Sequence, residues 1–137
     1  MAPEQAAGHT DRVGTHSDVY SLGAVLYDLL CGRPPFTGKV GEVLKQVQTD
    51  EPTPPRKLVP RLHRDVETIC LKALAKDPAR RYASAVALAE DLERFCAGEA
   101  ILARREGIAA KLVRKAQRLF ARLLASVAGD SPLTQVL

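Results

Sequence analysis

The alternation of apolar and polar positions divides the chain into helix-like stretches joined by loops. Residues 1–16 are rich in Gly, His and Thr without periodicity and are predicted as loop. Ser17-Asp18 then offers an N-cap for a helix over Val19–Leu30, stopped by Gly32 and the Pro34-Pro35 pair. Apolar groups fall on nearly every face of this helix, which is the pattern of a helix buried all round. A short polar-apolar helix is predicted at about Val40–Gln48, followed by a connector carrying Pro52, Pro54, Pro55 and Pro60.

Over Asp65–Leu74, Val66, Ile69, Cys70, Ala73 and Leu74 recur at amphipathic helical spacing, and the pattern ends at Lys76-Asp77-Pro78. Ser84 is placed to cap a further helix with Ala85, Leu88, Ala89, Leu92, Phe95 and Cys96 inward and Gly98 closing it. No segment alternates well enough to form a strand, so the expected fold class is all-α.

Composition narrows the functional classes. The 137 residues carry 20 Lys+Arg and 16 Asp+Glu, a formal charge of +4. The charge is unevenly spread: residues 1–100 hold 13 basic and 14 acidic side chains, and residues 101–137 hold 7 and 2. A nucleic-acid binder should spread its positive charge over the folded body, so that class is disfavoured. With no Trp, three Phe and three Tyr, an aromatic platform for single strands is also hard to build.

Cys31, Cys70 and Cys96 are odd in number and form no C-x-x-C pair, which argues against a disulfide framework or a compact zinc site. They are expected to be small core residues, as Tyr20 and Tyr27 are. His9, His16 and His63 match no common metal spacing and are expected to be solvated loop residues. No signal peptide is recognisable at Met1-Ala2-Pro3-Glu4-Gln5, and the apolar run Val19–Tyr27 is too short to span a bilayer. A cytoplasmic location is the expectation.

Four segments carry a resemblance to a known family. Met1-Ala2-Pro3-Glu4-Gln5 resembles the A-P-E motif that closes a protein kinase activation segment. Ser17-Asp18-Val19-Tyr20-Ser21-Leu22-Gly23 resembles the start of the central helix of the kinase large lobe, and Gly32-Arg33-Pro34-Pro35-Phe36 the turn after it. Lys76-Asp77-Pro78-Ala79-Arg80-Arg81-Tyr82 resembles the loop before the last helix of that lobe. In this order and spacing they identify residues 1–97 as similar to the lower large lobe of bacterial-type serine/threonine protein kinases.

The resemblance implies roles. Glu4 should pair with Arg81 and tie the end of the activation segment to the last loop. Asp18 should accept hydrogen bonds from the catalytic-loop backbone. The helix near residues 40–48 should lie outermost, with Val40, Val43, Leu44 and Val47 as a docking surface for protein partners.

Phosphoryl transfer in the family uses ATP and Mg²⁺, held by a Gly-rich loop, a strand Lys and the H-R-D and D-F-G motifs. All of these precede A-P-E, so none is expected anywhere in these residues, and the chain is expected to hold no nucleotide and to be inactive alone. The alternative is a non-catalytic lobe remnant that serves as an interaction module.

Residues 98–137 are expected to form a separate tail. Ile108, Leu112, Ala116, Leu119, Phe120, Leu123, Leu124 and Val127 recur at helical spacing, with Lys111, Arg114, Lys115, Arg118 and Arg122 between them. Such a basic amphipathic helix can pack its apolar stripe on the lobe, lie on an anionic membrane surface, or bind a protein or nucleic-acid partner. Gly129-Asp130-Ser131-Pro132 is expected to end it.

Overall fold

A computed structural model describes residues 1–105 and 107–129. Asp130-Ser131-Pro132 lies outside the described residues. The elements are α1 (Pro3–Ala6), α2 (Thr15–Cys31), α3 (Val40–Thr49), α4 (Pro55–Leu58), α5 (Arg64–Ala73), α6 (Ala85–Cys96) and α7 (Ile108–Gly129), with single 3-10 turns at Thr10–Arg12 and Pro78–Arg80. The described residues contain no strand. The chain divides into a unit from Met1 to Arg104 and a second from Arg105 onward. The first thus extends past the expected boundary at residue 97, because Ala103 is buried and Ile101 packs beside it.

α2 begins earlier than its apolar pattern suggests. Its N-cap is Gly14, and the Gly14 N–H donates to Ser17 Oγ at 3.3 Å from within the first turn. Asp18 is therefore not the cap. It sits inside the helix start, exposed, where a carboxylate faces the positive end of the helix dipole. At the other end Gly32 takes φ +73°, a left-handed cap in which a side chain would be strained.

The expectation of a helix buried all round also needs correction. Val19, Tyr20, Gly23 and Tyr27 are buried, whereas Leu22, Val25 and Leu29 are 43%, 57% and 78% exposed. The buried side of α2 crosses α5, whose Val66, Ile69, Cys70 and Ala73 are all inward, as is Leu74 just beyond it. At the crossing, a Cβ added to Gly23 would stand 2.7 Å from Ala73 Cβ, so only glycine lets the two backbones approach this closely.

Two apolar clusters result. Tyr20, Tyr27, Val47, Cys70 and Leu74 gather with Ala2, while Val19, Ile69, Ala73, Tyr82, Leu88 and Ala103 form the other.

α3 does not present its apolar residues outward. Val47 is buried, Val43 packs against the first cluster, Leu44 is half-buried, and only Val40 is fully exposed. The reason is general: apolar residues at i, i+3 and i+7 form one stripe, and that stripe is what a helix buries.

The inward face of α6 is rotated from the expected one. Leu88 and Asp91 are buried with Ala87, Leu92 and Phe95 beside them, leaving Ala85, Ala89 and Cys96 exposed. Cys96 is thus not a core residue, whereas Cys70 is. The proline-rich connector is held down by two bonds: Tyr27 Oη donates to the Thr53 carbonyl at 2.7 Å, and the Arg56 N–H donates to Glu67 Oε2 at 2.7 Å.

Candidate functional site

Glu4 lies in α1 and Arg81 in the turn ahead of α6, yet their side chains meet in the interior, 6% and 4% exposed. Arg81 Nη1 donates to Glu4 Oε1 at 2.8 Å and Nη2 to Oε2 at 2.9 Å, a bidentate fork. The rest of the guanidinium is also used. Its Nε donates to the Ala75 carbonyl at 2.7 Å, Nη1 to that of His16 at 2.9 Å and Nη2 to that of Lys76 at 3.1 Å. Ser17 Oγ donates to Glu4 Oε1 at 2.6 Å, and the guanidinium lies 5.0 Å from the Tyr20 ring centre.

Burial by itself would raise the Glu4 pKa. The hydrogen bonds from Arg81 and Ser17 outweigh it and hold the carboxyl at about 2, well below 4.5. One ion pair thereby binds α1, the start of α2 and the loop after α5. Burial raises the Tyr20 hydroxyl far above its usual range, and its oxygen has no hydrogen-bond partner among the described residues.

Two further anchors carry no sequence signature that the helical pattern exposes. Lys76 Nζ donates to the Val47 carbonyl at 2.6 Å, capping α3, and sits 4.5 Å from the Phe36 ring centre. Asp91, fully buried, accepts from Tyr82 Oη at 2.6 Å, Arg94 Nη1 at 3.2 Å, and the backbone N–H groups of Leu102 and Ala103 at 2.7 and 3.0 Å. Burial pushes its pKa up, but these four donors turn the net shift downward. A charged residue at a central helix position, three residues past Leu88, was the available signal.

Asp18 is exposed; its N–H donates to the Gly14 carbonyl at 3.2 Å, and its carboxylate makes no hydrogen bond or ion pair among the described residues. It heads the line formed by Leu22, Val25 and Leu29, so α2 presents a polar group followed by a bare apolar stripe.

One triplet does spell H-R-D: His63-Arg64-Asp65. It is not a catalytic loop. The Asn that the family pattern carries five residues after the Asp is here Cys70, which is fully buried. His63 is the N-cap of α5, its Nδ1 accepting from the Asp65 N–H at 3.1 Å, and its ring lies 5.3 Å from that of Phe95. His16 likewise stands inside α2 rather than in a loop. Among the described residues no three His, Cys, Asp or Glu side chains gather as a metal-holding group. The His63-Arg64-Asp65 triplet, engaged in capping α5, does not fit a Mg²⁺–nucleotide site.

Residues 1–92 match the protein kinase domain family. The chain belongs to the protein kinase family. It is 42% identical over 131 residues to the serine/threonine-protein kinase PknB of Mycobacterium tuberculosis (strain ATCC 25177 / H37Ra), covering 95% of this chain and 19% of the relative. It is 43% identical over 99 residues to the probable serine/threonine-protein kinase PknB of Bifidobacterium longum (strain NCC 2705), covering 72% and 14%. With Mycobacterium leprae (strain TN) PknB the figure is 43% over 100 residues, covering 72% and 16%. The chain thus spans under a fifth of the length of these relatives. Within the kinase fold, the Glu4–Arg81 fork joins the A-P-E segment to the loop before the last lobe helix.

α7 is a 22-residue helix with Lys111, Arg114, Lys115, Arg118 and Arg122 along it. No helix among the described residues is long and apolar enough to cross a membrane.

Proposed function

We propose that this chain is the floor of the large lobe of a serine/threonine protein kinase, the part that seats the phosphoryl-transfer machinery rather than the machinery itself. The observation that carries the reading is the exposed line Leu22, Val25 and Leu29 on α2, headed by the unbonded carboxylate of Asp18. Apolar side chains at this spacing on a lobe's central helix call for a covering element, and the kinase resemblance gives the carboxylate at its head the catalytic-loop backbone as donor.

In this reading the covering element is the catalytic loop with its neighbours, and the Glu4–Arg81 fork holds the end of the activation segment in place. The complete enzyme would move the γ-phosphate of ATP, with Mg²⁺, to a Ser or Thr hydroxyl. The residues that bind ATP and Mg²⁺ would lie outside this segment. A cytoplasmic location accompanies this reading, since the reaction draws on ATP and all three thiols are unpaired.

The test joins this chain in frame behind the upstream kinase segment of a relative and measures ATP-dependent phosphorylation of a Ser/Thr protein. The joined protein should transfer phosphate and the 137-residue chain alone should not. A folded joined protein without activity would refute the reading, as would transfer by the chain alone.

A further inference from the structure

The five cations of α7 fall on one side of the helix and its large apolar residues on the other. At about 100° per residue, Ile108, Leu112, Leu119, Phe120, Leu123 and Leu124 lie within an arc of about 160°. Lys111, Arg114, Lys115, Arg118 and Arg122 occupy an opposing arc of about 100°. Between Ile108 and Gly129 there is no Asp or Glu, so the helix's own formal charges are all positive.

A coiled-coil or bundle helix narrows its apolar stripe and intersperses both signs of charge around it. A broad apolar arc against an undivided cationic one instead matches a surface that is apolar just beneath a layer of negative charge. Crossing the bilayer is ruled out for this helix, because its cations are spread along the middle of its length.

We propose that α7 lies in the plane of an anionic membrane interface, its Leu, Ile and Phe side chains among the upper acyl chains and its cations at the lipid phosphates. Binding draws on both halves of the helix: apolar burial sets the depth, and the charge selects anionic lipid. The inference does not depend on how the rest of the enzyme works.

The test is flotation of the 137-residue chain with vesicles of phosphatidylcholine alone, and of phosphatidylcholine mixed with phosphatidylglycerol, so that chain associated only with itself stays at the bottom. Retention should be strong on the mixed vesicles, weak on the neutral ones, and should fall as salt is raised. Lys115→Gln and Arg118→Gln should each lower partitioning about fivefold. Phe120→Gln should lower it as well, while Leu29→Gln on α2 should leave it unchanged.

Equal retention on both vesicle types would overturn the proposal, and so would loss through Leu29→Gln rather than Phe120→Gln. No retention on either vesicle would mean the helix stripe is covered by protein, which also overturns it. Retention on duplex DNA without retention on anionic vesicles would assign the cations to nucleic acid instead.

Discussion

Replacing Arg81 with Ala should be among the most damaging single changes in this chain. The guanidinium makes five hydrogen bonds, two to Glu4 and three to the carbonyls of His16, Ala75 and Lys76. Its loss leaves the Glu4 carboxylate buried with the Ser17 hydroxyl as its remaining side-chain donor. Breaking a buried pair from one side costs about 3–5 kcal/mol. The depressed Glu4 pKa points the same way: the Arg81 hydrogen bonds lead the interactions that hold the carboxyl down against burial.

The assay is urea unfolding followed by helical circular dichroism. It is done in a Leu22→Gln, Val25→Gln, Leu29→Gln background, so that association does not intrude. Glu4→Leu combined with Arg81→Met should lose much less than the two single changes together, because no charge is then left stranded. The pH dependence follows from the sign of the shift. Glu4 is depressed in the folded state, so its contribution is complete above pH 4.5 and drains away as pH falls toward about 2. Glu4→Gln should flatten stability over that window. A loss below about 1 kcal/mol for Arg81→Ala, the worth of an exposed pair, would refute the tether.

Three other outcomes are expected. Asp91→Ala strands the Leu102 and Ala103 N–H groups and the Tyr82 hydroxyl, at about 1–3 kcal/mol per buried unsatisfied group; hydrogen exchange at residues 102 and 103 should accelerate markedly. Gly23→Ala forces a methyl group against Ala73 and should cost about 1–3 kcal/mol in urea unfolding. Alkylation with iodoacetamide at pH 8 should modify exposed Cys96 readily and spare Cys70, whose thiol burial pushes up to about 12.

Legibility in the sequence varied with the kind of signal. α5 was readable because Val66, Ile69, Cys70 and Ala73, with Leu74 just beyond it, are apolar and regularly spaced, and the structure buries each of them; the buried Glu67 and Thr68 lie outside that pattern. Arg81 and Glu4 stand far apart in sequence, and only the motif resemblance proposed their pairing. Asp91 was missed because binary patterning assigns a charge to the solvent side, whereas here four donors make its burial tolerable.

α3 shows a different limit. Its apolar residues read as an outward docking stripe, but Val47 is buried and Val43 packs against the first cluster, which leaves Val40 exposed. The His63-Arg64-Asp65 triplet shows the weakness of a short motif without context, since helix capping uses the same residues as catalysis. For α2, the apolar pattern predicts burial on every face, whereas the structure covers the Val19, Tyr20, Gly23 and Tyr27 side and leaves Leu22, Val25 and Leu29 exposed. Which face is covered within this chain depends on its neighbours, and the sequence of the helix alone does not carry that.

The vacant face of α2 is the centre of this account, and its most direct test is the association state of the 137-residue chain. Light scattering should find the wild-type chain self-associating through exposed apolar surface. The Leu22→Gln, Val25→Gln, Leu29→Gln variant should be a monomer with a cooperative thermal transition. A wild-type chain that is monomeric and unfolds cooperatively by itself would contradict the account, because its central helix would then need no covering partner.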